Sequence, residues 1–263
     1  MGGADLLIWE ERWLWIGLSI LLALIASWWI WAMDRYAADD SWWAALLRKP
    51  ALPLLWESAR WLYALGLPAM VLLWRHALTE RGLGLQPLRF LNPAATTAER
   101  LANWNDWVRD LGLTLAVLAL ALLIRYLSGR PLPTRRRWDR GAAAAFGEAL
   151  VHQVHWAFYR EPFVLRWGAA LGSWGGLALV ALEASLNPLR RRDLQDAERR
   201  PALLWRGFLA VVALLLFQMT QNLLLMVLAD ALLTWLGEGG PRWVRLRHLA
   251  SAPPLSHEGD RTA

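Results

Sequence analysis

The sequence predicts an all-α, polytopic integral membrane bundle of about seven transmembrane helices. Three observations carry that prediction. Of the 263 residues 57% are hydrophobic and only 19% charged, the apolar residues fall in long unbroken runs, and twenty tryptophans suit the two membrane–water interfaces. Disorder, collagen-like repeats and a disulfide scaffold are excluded by the same composition. The chain has no cysteine, so thiolate catalysis, cysteinyl iron–sulfur clusters and sulfur-ligated zinc are excluded as well. Any chemistry must come from carboxylates, histidines, hydroxyls or amides.

The first apolar run, residues 14–33, is uncharged and ends in Trp28, Trp29 and Trp31; its 20 residues cover about 30 Å, one hydrocarbon thickness. A cleaved signal peptide competes for this run. The acidic leading flank (Asp5, Glu10, Glu11) and the lack of a small-residue cleavage site favour a retained anchor. Residues 42–56 are interrupted by Arg48, Lys49, Pro50 and Pro53 and read as an interfacial segment. Second and third spans follow at 59–78 and 107–127, joined by a connection rich in turn residues: Gly82, Gly84, Pro87 and Pro93. A fourth covers 141–159, and a fifth covers 163–186, closed by Asn187-Pro188. The block 202–236 is 35 residues long, too many for one span at ordinary tilt. Gln218, Thr220, Gln221 and Asn222 at its middle split it into a sixth and a seventh helix. Three regions result: 1–140 with helices one to three, a core at 141–236 with helices four to seven, and a tail at 237–263.

Charge orients this bundle. Apart from Lys49 every basic residue is arginine, and the arginines gather between apolar runs. That distribution reads as topology and lipid-headgroup contact, not as a nucleic-acid surface. The blocks Arg130 to Arg140, Arg190 to Arg200 and Arg242 to Arg247, with Arg35, Arg48 and Lys49, all fall on one side of seven spans. The positive-inside rule makes that side cytoplasmic, with the N-terminus outside and the C-terminus in the cytoplasm. The connection near Arg81, Arg89 and Arg100 fits least well. An Ala, Leu, Arg and Trp excess resembles high-GC bacterial coding, which makes the bacterial inner membrane the expected location.

The informative residues are those that a membrane helix should not contain. Glu148, His152, His155 and Tyr159 are spaced four, three and four apart, which places them within roughly 60° on one helix face. Glu183 lies near the end of the fifth span, and Asp230 and Thr234 stand one turn apart in the seventh. An ionised carboxylate at the bilayer centre costs about 2.5–3.5 kcal/mol on insertion scales, so these acids should converge on one internal cavity. There they would share protons or hold a cation. Gln218, Gln221 and Asn222 should satisfy backbone freed at the last break. His76, His248 and His257 read as solvated.

Their order resembles the intramembrane CPBP family, the type II CAAX prenyl endopeptidases and bacteriocin-processing proteins. The family's motifs are E-E-x-x-x-R, F-x-x-x-H and H-x-x-x-N, the last with a threonine ten residues upstream. Here Glu148-Ala149-Leu150-Val151-His152-Gln153 stands at the first motif, where Ala149 and Gln153 depart from it. Leu179 to Glu183 stands at the second, with an acid in place of histidine. Thr220 precedes Asp230 by ten, and Asp230 and Thr234 occupy the histidine and asparagine positions. The resemblance covers residues 141–236 in spacing more than in identity. It implies a glutamate that activates water, and histidine and asparagine side chains that orient it and stabilise the oxyanion. With Glu148, Glu183, Asp230 and Thr234 in those roles the site is poor for that chemistry, and the expectation is a degenerate member without peptidase activity. An active endopeptidase, or hydrolase, is the first alternative. The second is a divalent metal (Zn, Fe or Mn) held by Glu148, His152, His155, Glu183 and Asp230, an oxygen-and-nitrogen ligand set on facing helices. Expected partners are membrane lipids and a membrane-embedded or prenylated peptide or another membrane protein, with no nucleic acid.

Overall fold

A computed structural model describes residues 3–36, 51–73, 78–128 and 141–239, and every element among them is helical. Helix α1 spans Gly3–Tyr36. Helix α2 (Ala51–Trp61) runs through a π-helical stretch, Leu62–Gly66, into α3 (Leu67–Leu73). A short α4 (Glu80–Leu83) and a 3₁₀ turn precede α5 (Thr97–Leu127), which opens on a capping box between Thr96 and Glu99. The chain continues with α6 (Ala142–Leu186), α7 (Pro188–Gln195), α8 (Arg200–Thr220) and α9 (Leu223–Gly239).

Among the described residues four helices are long and apolar enough to cross a membrane: α1 over Glu11–Met33, α5, α6 and α8; the apolar stretch of α9, Leu223–Leu236, is shorter. Their outer surfaces carry exposed Leu14, Leu21, Ile25, Leu115, Leu120 and Leu123, side chains that only a lipid environment would leave uncovered on this scale.

Helix α6, 45 residues long, is a hairpin. Gly168 adopts φ 75° and ψ 172°, a conformation open to glycine alone, and reverses the chain there. The arms, residues 142–167 and 169–186, then pack on a seam of Gly172, Ser173 and Gly176. A Cβ at Gly176 would lie 2.8 Å from Arg160 Cα, and one at Gly172 would overlap the backbone of Val164. Small residues let the two backbones approach this closely, as membrane helix pairs require. The sequence reading put this reversal at residues 160–162, and the structure corrects it. Arg160, Glu161 and Pro162 are helical and buried: the Arg160 guanidinium lies 3.4 Å from the ring centre of Phe217, while Glu161 pairs with Arg12 at 3.5 Å.

Two further boundaries shift. Residues 51–56 begin the helix that runs on to Leu73, with Pro53 tolerated in its first turn, so the break read across 42–56 becomes a helix start; 42–50 lie outside the described residues. Helix α5 begins ten residues before the predicted 107.

The break between α8 and α9 falls where the polar quartet predicts it. Gln221 is left-handed at φ 47° and ψ 35°, and the Asn222 carboxamide accepts from Leu225 N at 3.2 Å. Gln218 instead donates to Ala170 O at 2.9 Å, next to the α6 reversal. The remaining demand is met by the connection at 78–92, which tucks into the bundle. Gly84 O accepts from Leu223 N at 2.7 Å, and Gln86 Nε2 donates to Thr220 O at 2.8 Å and to Asp110 at 3.0 Å. Asp110 is fully buried in α5 and also takes Arg109 Nη2 at 3.0 Å.

Helix α9 packs most extensively on α6 and also meets α5 and α8. One of its faces gives Leu223 and Val227 to a core with Ile16, Val71, Phe158 and Tyr159; the other gives Met226, Ala229 and Leu233 to a core with Leu118, Leu209, Leu216 and Phe217. Asp230 therefore sits on the helix that both cores enclose.

Candidate functional site

A cavity of about 480 Å³ opens between the arms of α6, α7, the start of α8 and the later turns of α9. Glu148, His152, His155, Glu183, Asp230 and Thr234 all line it. The side chains that helix periodicity and order grouped together thus face one cavity. Their partners differ from those the sequence suggested.

Glu148, one and a half turns into α6, receives a guanidinium fork. Arg60 Nη1 donates to Oε1 at 2.9 Å and Nη2 donates to Oε2. Such a bidentate pair fixes orientation as well as charge. His152 Nε2 is 3.9 Å from the same carboxylate, and its ring stacks on Trp156 with centroids 5.7 Å apart.

His155 turns to another side. Its Nε2 lies 3.3 Å from the Tyr63 hydroxyl and 3.8 Å from Glu183, and its ring sits against Tyr63 and Tyr159 at centroid distances of 4.9 and 4.5 Å. Tyr63 stands in the π-helical stretch, whose extra residue per turn re-aims side chains. Its hydroxyl donates to Ser19 O at 3.0 Å and meets Ser19 Oγ at 2.8 Å, and Ser19 Oγ also meets the Tyr159 hydroxyl at 3.3 Å, which ties α1 to the first arm of α6.

Asp230 is 5% exposed, with Gln153 Nε2 donating to Oδ2 at 2.9 Å and Thr234 Oγ1 to Oδ1 at 3.3 Å. Each acid thus has its own partners: Arg60 for Glu148, His155 for Glu183, an amide and a hydroxyl for Asp230. The expected proton-sharing cluster is replaced by three separate pairings. The metal reading is corrected with it. Among the described residues no three His, Asp or Glu side chains gather as a metal-ligand group. A 60° wedge is wide enough at the side-chain tips to send His152 toward Trp156 and His155 toward Tyr63.

The wall also holds three arginines: Arg190 and Arg191, which the sequence offers only as topology markers, and Arg206, which sequence reading did not single out. Arg191 Nε donates to Ser185 O. Among the described residues Arg190 and Arg206 have no side-chain hydrogen bond and no ion pair, although Glu148 and Asp230 lie within electrostatic range of Arg206. Arg190, in the short α7, is held below the ordinary arginine range by burial and then by the nearness of Arg206. Arg60 was equally invisible as a partner, since it is 88 residues from Glu148 in the chain. The only signal for it was a lone cation at the start of an apolar run. Deeper, a pocket of about 20 Å³ shares Trp156, Leu177, Val180 and Ala210 with the main cavity and is lined by Arg160.

Compared with models of protein families, with curated proteins and with solved structures, the chain matches none.

Proposed function

We propose that the chain is a CPBP-like intramembrane protein whose glutamate-peptidase site is degenerate and without peptidase activity. The motif spacing supports the family, and the observation that carries the silence is the Arg60 fork on Glu148. A general base must hold a water within hydrogen-bond reach, yet both oxygens of this carboxylate are turned to one guanidinium. Glu183 and Asp230 supply acceptors where an oxyanion needs fixed donors. In this reading the arms of α6, together with α1, α2–α3, α5, α8 and α9, make seven crossings of a bacterial inner membrane. The N-terminus is outside, the arginine-rich cavity mouth faces the cytoplasm, and a membrane-embedded or prenylated peptide or a second membrane protein docks without being cut.

Prenylated and transmembrane peptides incubated with the wild type are expected to remain intact, with no difference in Glu148→Gln. Wild-type turnover that disappears in Glu148→Gln would overturn the proposal. The triple variant Glu183→His, Asp230→His, Thr234→Asn restores the family's side chains. It is expected to stay silent while Arg60 holds Glu148, and to gain measurable turnover only when Arg60→Met is added. For the topology, reporter fusions after Arg137 and after Arg192 should both report cytoplasm; opposite signals would dismiss the seven-crossing arrangement.

A further inference from the structure

Arg190 and Arg206 pose a problem that a silent peptidase site does not answer. Both line the cavity and neither has a counter-ion in contact among the described residues. Withdrawing an uncompensated guanidinium even partly from water is costly, both arginines are half-buried, and setting two within electrostatic range of each other adds repulsion. The nearby acids relieve them only from a distance, because Glu148 is bound by Arg60, Glu183 faces His155, Asp193 pairs with Arg199, and Asp230 accepts from Gln153 and Thr234. An anion held between the two guanidiniums would remove both costs. Below them the wall turns apolar, with Leu177, Val180, Ala181 and Leu209, and a small inorganic anion would leave that part of the cavity unfilled. Its volume of about 480 Å³ lies within the usual 300–1,000 Å³ of small-molecule pockets.

We infer that this cavity binds a lipid headed by a bare phosphate monoester, with the phosphate between Arg190 and Arg206 and the upper chain along Leu177, Val180, Ala181 and Leu209. Guanidinium forks match phosphate oxygens, and the apolar wall selects for a chain. The site stands or falls separately from the absence of cleavage, since binding and turnover are different measurements.

The test is native mass spectrometry of the full chain from nanodiscs of phosphatidylcholine, with and without phosphatidic acid. The wild type should retain one phosphatidic acid and exchange it for phosphatidylcholine only weakly. Arg190→Gln and Arg206→Gln should each weaken retention about tenfold, the loss of one charged hydrogen-bonding group. Arg89→Gln, an exposed arginine on the connection before α5, should change nothing. Ala181→Trp keeps every charge but fills the chain path from an exposed wall position. It should exclude phosphatidic acid while inorganic phosphate still binds, which identifies the lipid chain as part of the ligand even if an arginine variant fails to fold. Equal loss in Arg89→Gln would reduce the effect to general surface charge and overturn the site. Displacement of phosphatidic acid by millimolar inorganic phosphate, with Ala181→Trp unaffected, would assign the cavity to a free anion and overturn the lipid.

Discussion

Arg60→Met is expected to destabilise the protein by about 2–4 kcal/mol, because it strands the Glu148 carboxylate among apolar helices. The figure lies below the range for fully enclosed pairs, since the Arg60 and Glu148 side chains are 26% and 18% exposed. Denaturant unfolding in a mild detergent should show the loss. Adding Glu148→Gln should then recover most of it, because the amide no longer demands a cation. A double-mutant cycle that closed near zero would show that the fork contributes nothing. The same pair of variants separates architecture from chemistry. If Arg60 serves only to hold α2 against α6, Arg60→Met/Glu148→Gln should restore the cavity's shape and still cut no peptide.

Gly172→Val should be more disruptive than any change at the reversal itself. The added atoms would meet the Val164 backbone, which cannot rotate aside, so the arms of α6 must separate. Overpacking of this kind costs about 3 kcal/mol, at the upper end of its usual range. Gly168→Ala meets open space and suffers only from φ 75°, a strain of about 1–2 kcal/mol. Unfolding midpoints of the two variants should rank in that order. Spreading of the arms should also carry Glu183 away from His155, three turns along from Gly172. In this cysteine-free chain a cysteine pair at 155 and 183, bridged by a short crosslinker, would report that displacement directly. Unchanged crosslinking in Gly172→Val would mean that the seam is looser than its geometry.

The sequence was most legible where physics is local. Four of the apolar runs of span length, the polar break at 218–222 and the one-face stripe of Glu148, His152 and His155 follow from helix rise and periodicity, and the structure has them. The reading failed where a residue's meaning depends on a distant neighbour. Arg160, Glu161 and Pro162 look like a turn by composition. They remain helical, with the Arg160 guanidinium over Phe217 and Glu161 held by Arg12 and Thr79, all far away in sequence. Asp110 passed unnoticed inside an apolar run because its amide partner, Gln86, lies in a connection read as an ordinary loop. The metal set failed differently. Spacing fixes the face of a helix, but the direction of each ring was decided by Tyr63 and Trp156, and no periodicity contains that information.

The ion pair between Arg12 and Glu161 has a bearing on how the protein is made. Glu161 is wholly enclosed, and its oxygens depend on Arg12 from α1 and on Thr79 from the connection before α4. A ribosome adding about 5–20 residues each second delivers the first of these roughly seven to thirty seconds before Glu161 itself emerges. Throughout that interval α1 carries a cation whose final neighbour does not yet exist, so it is best kept near the insertion site and not released into free bilayer. When the first arm of α6 arrives, its acid enters beside a waiting arginine and never needs to cross lipid as a bare charge. Translation order thus fixes the sequence of assembly of this pair: the cation is made first, and the acid joins it only once the first arm of α6 has been made.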